Sequence, residues 1–203
     1  MNLANKMDPR VRRTRRLLMD ALLNLLAEKS LQSITVREIT QAATLNRATF
    51  YLHYTDKFDL FISTARDLFH DTLIEALPGD HVSEVEDIKT MVIATCHFVQ
   101  QAIAECSPLN KPFEPMIEAQ IQSQLEDYTH EWLQSDAMSG TELTACIETT
   151  ATLISWTILG CALRWMRAPA SQTPEDIAEQ VYTIVMEGFW RVKPGVISSQ
   201  GNG

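Results

Sequence analysis

The segment Thr44–Lys57, TLNRATFYLHYTDK, holds the side chains of this chain that are best suited to chemistry. Its 14 residues include two basic residues, two tyrosines, a phenylalanine and a histidine. Either this segment is a small buried helix, or one of its sides contacts something outside the protein. The arrangement of its residues around a helix bears directly on that choice.

A helical wheel separates an inward side of this segment from an outward one. Phe50 and Tyr54 are four residues apart, so they share one face and are expected to pack on the protein interior. The opposite face has no acid and combines hydroxyls with small apolar groups. Hydrogen bonds to base edges and methyl contacts to thymine use such groups in the major groove of DNA. The residues of this outward face are Ala48, Thr49, Tyr51 and Leu52.

Two basic residues lie at the ends of the outward face. Arg47 is in the first helical turn, from which its long side chain can reach a guanine edge or a phosphate. Lys57, with the backbone amides at the start of the next helix, is expected to bind a phosphate. Spacing and charge favour contact with DNA, and the alternative is a three-helix packing unit whose tyrosines shield the core.

Charge is distributed unevenly along the 203 residues. Residues 1–57 contain 10 lysines and arginines and 5 acids, whereas residues 58–203 contain 7 and 21. The net charges are therefore +5 and −14, which together give the overall −9. A basic segment on an acidic body predicts that only the N-terminal part meets a polyanion. The alternative is a chance cluster of arginines in a solvated tail.

Residue types that serve enzymes and metal sites are not spaced for that chemistry. The four cysteines lack C-x-x-C spacing and the five histidines form no H-x-x-x-H pair, so we expect neither a metal site nor a cofactor. Because the sequence also lacks a Ser/His/Asp order and a glycine-rich phosphate loop, we do not expect an enzyme. The cysteines are interpreted as core thiols and are Cys96, Cys106, Cys146 and Cys161.

Neither a signal peptide nor a membrane span is expected. The N-terminus, MNLANKMDPRVRRTRR, has no apolar stretch of the kind that signal peptides contain. The longest uncharged helical run, 149–163, includes four threonines and a serine and is short for a membrane span. We therefore predict a cytoplasmic protein with no membrane partner.

Helical periodicity runs through the chain and no convincing strand is found, so the predicted fold is all-α. Asp8 and Pro9 are expected to start the first helix, Thr35 and Glu38 form a capping box, and Asn46 caps the third helix. The proline-rich stretch SPLNKPFEP is predicted to be a loop. The predicted helices are 9–29, a short one from Thr35, 47–54, 56–77 with Thr55 as its cap, one from Ser83 to about 105, 116–134, 141–168 and 173–191.

Two short helices behind a longer one are typical of a helix-turn-helix unit. We therefore predict an N-terminal three-helix DNA-binding domain over residues 1–57. A larger helical domain for ligand binding and dimerisation is expected over 58–194. Residues 195–203, rich in glycine and serine, are predicted to be a flexible tail.

The stretch TVREITQAATLNRATFYLHYTDKFDLF closely resembles the DNA-binding domain of TetR-type transcriptional regulators. The resemblance covers about residues 12–62 and implies an all-helical, dimeric, two-domain regulator. It departs from the family pattern at two turns, where Thr44 and Ser30 replace the usual glycines, so each turn must avoid a left-handed backbone or tolerate strain. By this resemblance, the DNA-contacting positions are Thr35, Asn46, Arg47, Thr49, Tyr51, His53 and Lys57.

The C-terminal stretch ISWTILGCALRWMRAPASQTPEDIAEQV resembles the last two helices of several TetR-type regulators, which pack against their copies as a four-helix bundle. The first of these helices has no wholly polar side, so burial on two sides is expected. Gly160 would allow a second backbone to approach closely. The alternative is a core helix within one subunit. The predicted homodimer interface comprises Ile154, Ile158, Gly160, Cys161, Ile177, Val181, Ile184 and Val185.

These observations together predict a homodimeric, ligand-responsive transcriptional regulator, with a repressor as the first expectation. Its partners would be a pseudo-palindromic double-stranded DNA operator and an unknown small-molecule effector held in the acidic body. The alternative is a DNA-bound structural or protein-recruiting factor with the same fold and no inducer. Candidate wall residues of an effector pocket are Met91, Phe98, Met116, Tyr128, Trp132 and Trp156.

Overall fold

The structure is a computed structural model that describes residues 8–77, 86–104, 108–135, 147–167 and 172–191. All regular elements in these ranges are helical, which confirms the predicted all-α fold. The predicted helix start at Ser83, residues 141–146 and the tail 195–203 lie outside the described residues, as do Cys106 and Cys146.

The described residues form eight α-helices, a π-helical turn and one 3₁₀-helix. The α-helices are α1 (Pro9–Glu28), α2 (Val36–Ala42), α3 (Arg47–Tyr51), α4 (Lys57–Ala76), α5 (Asp87–Val99), α6 (Glu114–Gln134), α7 (Ile147–Arg167) and α8 (Pro174–Arg191). The π-helical turn, Gln100–Ala104, follows α5, and the 3₁₀-helix, Pro108–Phe113, precedes α6.

The predicted caps of the first three helices are present. The Asp8 carboxylate accepts a hydrogen bond from the Arg10 amide at 2.8 Å, and Thr35 forms the predicted capping box with Glu38. Asn46 Oδ1 accepts a hydrogen bond from the amide at the second position of α3 at 2.9 Å. These contacts satisfy amides that a helix leaves without partners at its start.

Three predicted boundaries differ from the structure. Asp56, not Thr55, caps α4, because its Oδ1 accepts from the amides of Phe58 and Asp59. The third helix ends at Tyr51 rather than at residue 54, since the following amides bond to carbonyls three residues back and tighten the last turn. The stretch SPLNKPFEP was predicted to be a loop, but it contains the 3₁₀-helix, and α6 begins at Glu114.

The chain divides into two compact units. Unit 1 comprises Met1–Leu68 and Glu105–Gln120, and unit 2 comprises Phe69–Ala104 and Ile121–Gly203. Unit 1 thus extends beyond residue 57, at which the sequence placed the end of the DNA-binding domain. The reason is that the first part of α4, which begins at Lys57, belongs to unit 1, and the segment around the 3₁₀-helix packs with the first helices.

Each unit has its own apolar core. In unit 1 the most deeply buried side chains come from α1, the loop after it, α2, α3 and α4, and include Leu18, Leu22, Leu31, Ile39, Phe50 and Leu60. In unit 2, α5 packs against both α7 and α8. Cys96 of α5 lies in this core, where burial raises the pKa of its thiol to about 12.

The turn between α2 and α3 contains a left-handed residue that is not glycine. Thr44 has a φ of 55°. Its amide bonds to the Gln41 carbonyl at 3.1 Å, and the Leu45 amide reaches the Thr40 carbonyl at 2.9 Å, the two bonds of a Schellman motif. The other turn that lacks its usual glycine avoids this conformation, because Ser30 does not have a positive φ.

We predict that Thr44→Gly raises the free energy of unfolding by about 1 kcal/mol, because glycine adopts the left-handed conformation without a Cβ clash. Urea denaturation measures the effect. The control is Gln41→Gly, at an exposed helical position of α2, which should lower the free energy of unfolding by about 1 kcal/mol. A similar loss in both variants would contradict the left-handed turn.

Candidate nucleic-acid interface

The outward face of α3 is open to solvent while its other face is buried. Leu52 is 81% exposed and Tyr51 is 48% exposed, whereas the neighbouring Phe50 is completely buried. Arg47 and Ala48 are exposed as well. The structure therefore brings Arg47 together on one surface with Ala48, Tyr51 and Leu52, three of the four residues predicted for the outward face. Of the other predicted DNA-contacting residues, Thr35 and Asn46 are exposed, and Thr49, His53 and Lys57 are half-buried.

Arg47 and Tyr51 form a pair along this face. They are four residues apart, which places their side chains on consecutive turns of α3. A guanidinium nitrogen of Arg47 donates to the Tyr51 hydroxyl at 3.2 Å, and the Arg47 guanidinium carbon is 5.6 Å from the centre of the Tyr51 ring. This contact directs the guanidinium along the outward face, where its remaining N–H groups can donate to a partner.

The inward face of α3 is anchored by two aromatic rings. The rings of Phe50 and Tyr54 lie 5.8 Å apart, and both are buried. Arg15 of α1 donates to the Tyr54 hydroxyl at 3.1 Å and pairs with Asp67 of α4 at 3.4 Å. Burial raises the pKa of the Tyr54 hydroxyl. Arg15 thus links α1 to α4 and to the turn that follows α3, a role that its position in an arginine-rich run did not reveal.

The Lys57 ammonium is held by the backbone of the loop between α1 and α2. It donates to the carbonyls of Gln32 and Ile34, each at 2.7 Å. It also lies 5.2 Å from the centre of the Phe58 ring. An ammonium has three N–H donors, so one remains for a phosphate. The sequence predicted the phosphate contact but not the two carbonyls, which lie more than 20 residues away.

An ion pair connects the end of α1 to the first turn of α2 across the same loop. Lys29 pairs with Glu38 at 2.6 Å, and Glu38 also accepts hydrogen bonds from the amide and hydroxyl of Thr35. The Lys29 ammonium and the Thr35 donors lower the pKa of Glu38 to about 2, and Glu38 in turn raises the pKa of Lys29. The Thr35 hydroxyl therefore bonds to Glu38 within the first turn of α2, and these bonds fix the position of Thr35 at the edge of the interface.

Exposed arginines of α1 and α2 extend the basic surface of unit 1. They are not on the outward face of α3, so their expected role is attraction of a polyanion and not reading of bases. The acids of this unit include Asp67 and Glu38, which are paired with Arg15 and Lys29. The exposed arginines are Arg10, Arg12, Arg13, Arg16 and Arg37.

The six predicted pocket residues do not all lie together. Met91, Phe98, Tyr128 and Trp132 are buried in unit 2. Met116 is half-buried and belongs to unit 1, and Trp156 is 57% exposed. Of the six residues, Met91, Phe98, Tyr128 and Trp132 therefore share the core of unit 2.

The residues predicted for the dimer interface fall on two sides of α7 and α8. Five of them are buried within unit 2, and Cys161 is half-buried. Gly160 and Ile184 are exposed, and the exposed apolar side chains of α7 are Leu153 and Trp156. One side of α7 is thus buried in the core of unit 2, and its other side is exposed. The five buried residues are Ile154, Ile158, Ile177, Val181 and Val185.

In the described part of the chain, no cluster of three or more histidine, cysteine, aspartate or glutamate residues is placed to hold a metal ion. Among the helices in these ranges, none combines the length and apolar character needed to cross a membrane.

Comparison with known proteins places the N-terminal helices in a family. Residues 18–64 match the family described as "Bacterial regulatory proteins, tetR family". A stretch of 56 residues is 46% identical to YxbF of Bacillus subtilis (strain 168), an uncharacterized HTH-type transcriptional regulator, and covers 27% of this chain and 15% of that protein. The chain thus spans well under a fifth of the curated relative that it matches.

Solved structures resemble the whole chain in fold. A TetR transcriptional regulator from Streptococcus agalactiae 2603V superposes with a TM-score of 0.56 at 24% identity, over 91% of this chain and 99% of that one. A TetR-family regulator from Streptomyces coelicolor A3 gives a TM-score of 0.55 at 16% identity, over 90% and 98%.

The short capped α3, its exposed polar face and its buried aromatic anchors define a helix-turn-helix DNA-binding protein with a second helical unit. The family match to these same helices makes the assignment more specific. The helix-turn-helix segment, residues 18–64, is that of the TetR family of bacterial regulatory proteins.

We predict that Lys57→Met lowers the free energy of unfolding by about 1 kcal/mol, because the carbonyls of Gln32 and Ile34 lose a charged donor at a half-exposed site. Methionine keeps the aliphatic stem beside Phe58. Urea denaturation measures the change. Lys111→Met, at an exposed lysine of the same unit, is the control. An equal effect in both variants would show that the two carbonyl bonds do not stabilise the loop.

Proposed function

We propose that this protein is a ligand-responsive repressor that binds a pseudo-palindromic operator as a homodimer. The observation that carries the proposal is the division of α3 into a buried aromatic face and an exposed face with Arg47, Tyr51 and Leu52. An exposed leucine beside hydrogen-bonding groups suits the major groove, where a thymine methyl and base-edge acceptors lie side by side.

A single α3 can read only a short stretch of DNA. The helix has five residues and its exposed face adds Leu52, so it contacts a few base pairs. A twofold protein would present two such helices to successive major grooves of a twofold operator. The exposed arginines of α1 would supply affinity that does not depend on sequence, so binding should weaken steeply as salt increases.

The open side of α7 and α8 supports a homodimer. Leu153, Trp156 and Ile184 are 65%, 57% and 67% exposed, although they are large and apolar. An added Cβ at Gly160, which shares the exposed side of α7 with Leu153 and Trp156, would meet no atom within 4 Å. A second copy would cover this apolar surface and could approach the backbone closely at Gly160. The proposed interface therefore centres on these four residues.

Unit 2 has a buried acceptor that supports binding of an effector. Gln122 Nε2 donates to Ser155 Oγ at 2.8 Å, and Ser155 Oγ donates to the Thr152 carbonyl at 2.9 Å. Because the serine proton is engaged, Gln122 must present its amide nitrogen there. Its Oε1 is buried and accepts no hydrogen bond from the described residues. An effector with a hydroxyl or N–H group would satisfy this acceptor.

A second polar contact in unit 2 joins Tyr128, one of the candidate pocket residues, to His70. The Tyr128 hydroxyl and His70 Nδ1 are 2.6 Å apart, and the two rings are stacked. Burial raises the pKa of Tyr128 to about 12, so the hydroxyl stays protonated. We propose that this pair and Gln122 supply the polar contacts of an otherwise apolar effector site.

Selection of duplexes from a random pool tests the proposed function. The wild-type protein should recover one sequence with two inverted half-sites. We predict that Arg47→Ala lowers affinity for this duplex by roughly 1–3 kcal/mol and relaxes the preference at one position in each half-site. Arg13→Ala removes the same charge from α1 and should weaken all duplexes alike. Recovery of unrelated sequences without half-sites would contradict the proposal.

The dimer has a separate test. We predict that Trp156→Glu gives a folded monomer, because the exposed position tolerates a carboxylate in the protomer whereas a dimer interface would bury it unpaired. Light scattering measures the mass and circular dichroism the helix content. Ser123→Glu, exposed on α6 of the same unit, is the control and should remain dimeric. A dimeric Trp156→Glu protein would place the interface elsewhere.

Mapping of binding sites across the genome separates the repressor from the alternative factor that needs no inducer. A repressor of specific genes should occupy one or a few promoters. Many dispersed sites would favour a structural or protein-recruiting role.

A further inference from the structure

Asn110 is a buried polar residue whose side chain bonds to backbone groups far from it in sequence. Its side chain is 3% exposed. Its Oδ1 accepts a hydrogen bond from the Leu31 amide at 2.8 Å, and its Nδ2 donates to the carbonyls of Leu26 and Lys29 at 3.2 and 3.5 Å. One amide side chain thus contacts both the end of α1 and the loop that leads to α2.

The loop needs such a partner because its backbone enters the core. The Leu31 side chain is completely buried, which carries its amide away from water. A buried amide without an acceptor is strongly unfavourable. The last carbonyls of a helix also lack partners within it, and Asn110 satisfies that of Leu26. Asn110 therefore acts as a C-terminal cap of α1, although it lies far from this helix in sequence.

A second group holds the same loop from its solvent side. The Lys57 ammonium binds the carbonyls of Gln32 and Ile34, immediately after Leu31. The loop between α1 and α2 is therefore fixed by an amide on one side and an ammonium on the other. Thr35, the N-cap of α2, follows directly, so the fixed loop sets where α2 begins.

The 3₁₀-helix that carries Asn110 is itself attached to the start of α4. The Phe113 ring lies 6.1 Å from the ring of Phe58 and 6.2 Å from that of Phe61, measured between ring centres. Phe58 is adjacent to Lys57, which binds the loop. The 3₁₀-helix, the start of α4 and the loop thus form a closed ring of contacts within unit 1.

We propose that Asn110 is a positioning residue for DNA binding, which locks the loop between α1 and α2 so that α2 and α3 are presented to DNA. The proposal rests on the DNA-binding function proposed above. Its consequence is that the DNA-binding unit requires a residue far downstream of the helix-turn-helix. When the lock is lost, the loop samples other conformations, and apparent affinity falls with the fraction of molecules that remain competent.

The variant Asn110→Leu tests the lock, because leucine has a similar shape but neither donor nor acceptor. Affinity is measured with the full-length protein and the duplex selected by the wild type, at a temperature where circular dichroism shows every variant folded. We expect binding to be weakened about tenfold or more. Gln124→Leu, which removes a buried amide from unit 2, is the control and should bind within about twofold of wild type.

Hydrogen exchange of the Leu31 amide is a second readout that a general loss of stability does not mimic. In the wild type this amide should exchange slowly. In Asn110→Leu it should exchange much faster, while amides in the middle of α1 remain protected. If Asn110→Leu does not fold, Asn110→Asp keeps the acceptor for Leu31 and loses the donor, so it should protect the Leu31 amide and still bind DNA more weakly than wild type.

The outcomes separate this proposal from the proposed function. Unchanged affinity in a folded Asn110→Leu protein, or rapid exchange of Leu31 in the wild type, would overturn the role of Asn110. Failure of the wild-type protein to select any duplex would instead overturn the proposed function, and exchange at Leu31 would still show whether the loop is locked.

Discussion

Burial of the Phe50 ring is the interaction on which the proposed DNA-binding surface of α3 depends. A five-residue helix is far below the length at which a helix is stable by itself in water, so α3 exists because it is packed. Complete burial of a phenylalanine contributes about 1.5–3 kcal/mol, which is large for so short an element. The same burial fixes the rotation of α3, and this rotation exposes Arg47, Tyr51 and Leu52 together.

Polar contacts to the backbone determine where the helices around α3 begin and end. The Schellman turn at Thr44 sets the angle between α2 and α3. In the loop between α1 and α2, carbonyl groups accept hydrogen bonds from Lys57, and the Leu31 amide donates to Asn110. Backbone groups that are neither in a helix nor in water require such partners. The apolar core therefore holds the helices together, while a few polar side chains determine where each helix begins and ends.

The parts of this arrangement that were predictable from sequence depend on neighbours within about four residues. The faces of α3 follow from the spacing of Phe50 and Tyr54, and the caps at Asp8, Thr35 and Asn46 are local hydrogen bonds. Family resemblance and local pattern agreed here, which is why the fold and the outward residues could be named in advance. The cap of α4 was misassigned because Thr55 and Asp56 are both good caps and only the backbone geometry separates them.

Contacts between distant parts of the chain could not be predicted in this way. Asn110 and Leu31 are 79 residues apart, and no spacing rule connects an asparagine between two prolines to the end of the first helix. The open side of α7 was missed for a related reason. Apolar residues occur on all its sides, so the pattern could not show that Ile158 is buried while Trp156 remains exposed.

The outward face of α3 is proposed to read bases in the major groove. Binding to the selected duplex with single base analogues tests this most directly. Replacing guanine by 7-deazaguanine or thymine by uracil changes only groups in the major groove, whereas replacing guanine by inosine removes an amino group from the minor groove. If α3 reads the major groove, the first two replacements weaken binding within both half-sites and inosine there has little effect. Sensitivity to inosine alone would contradict it.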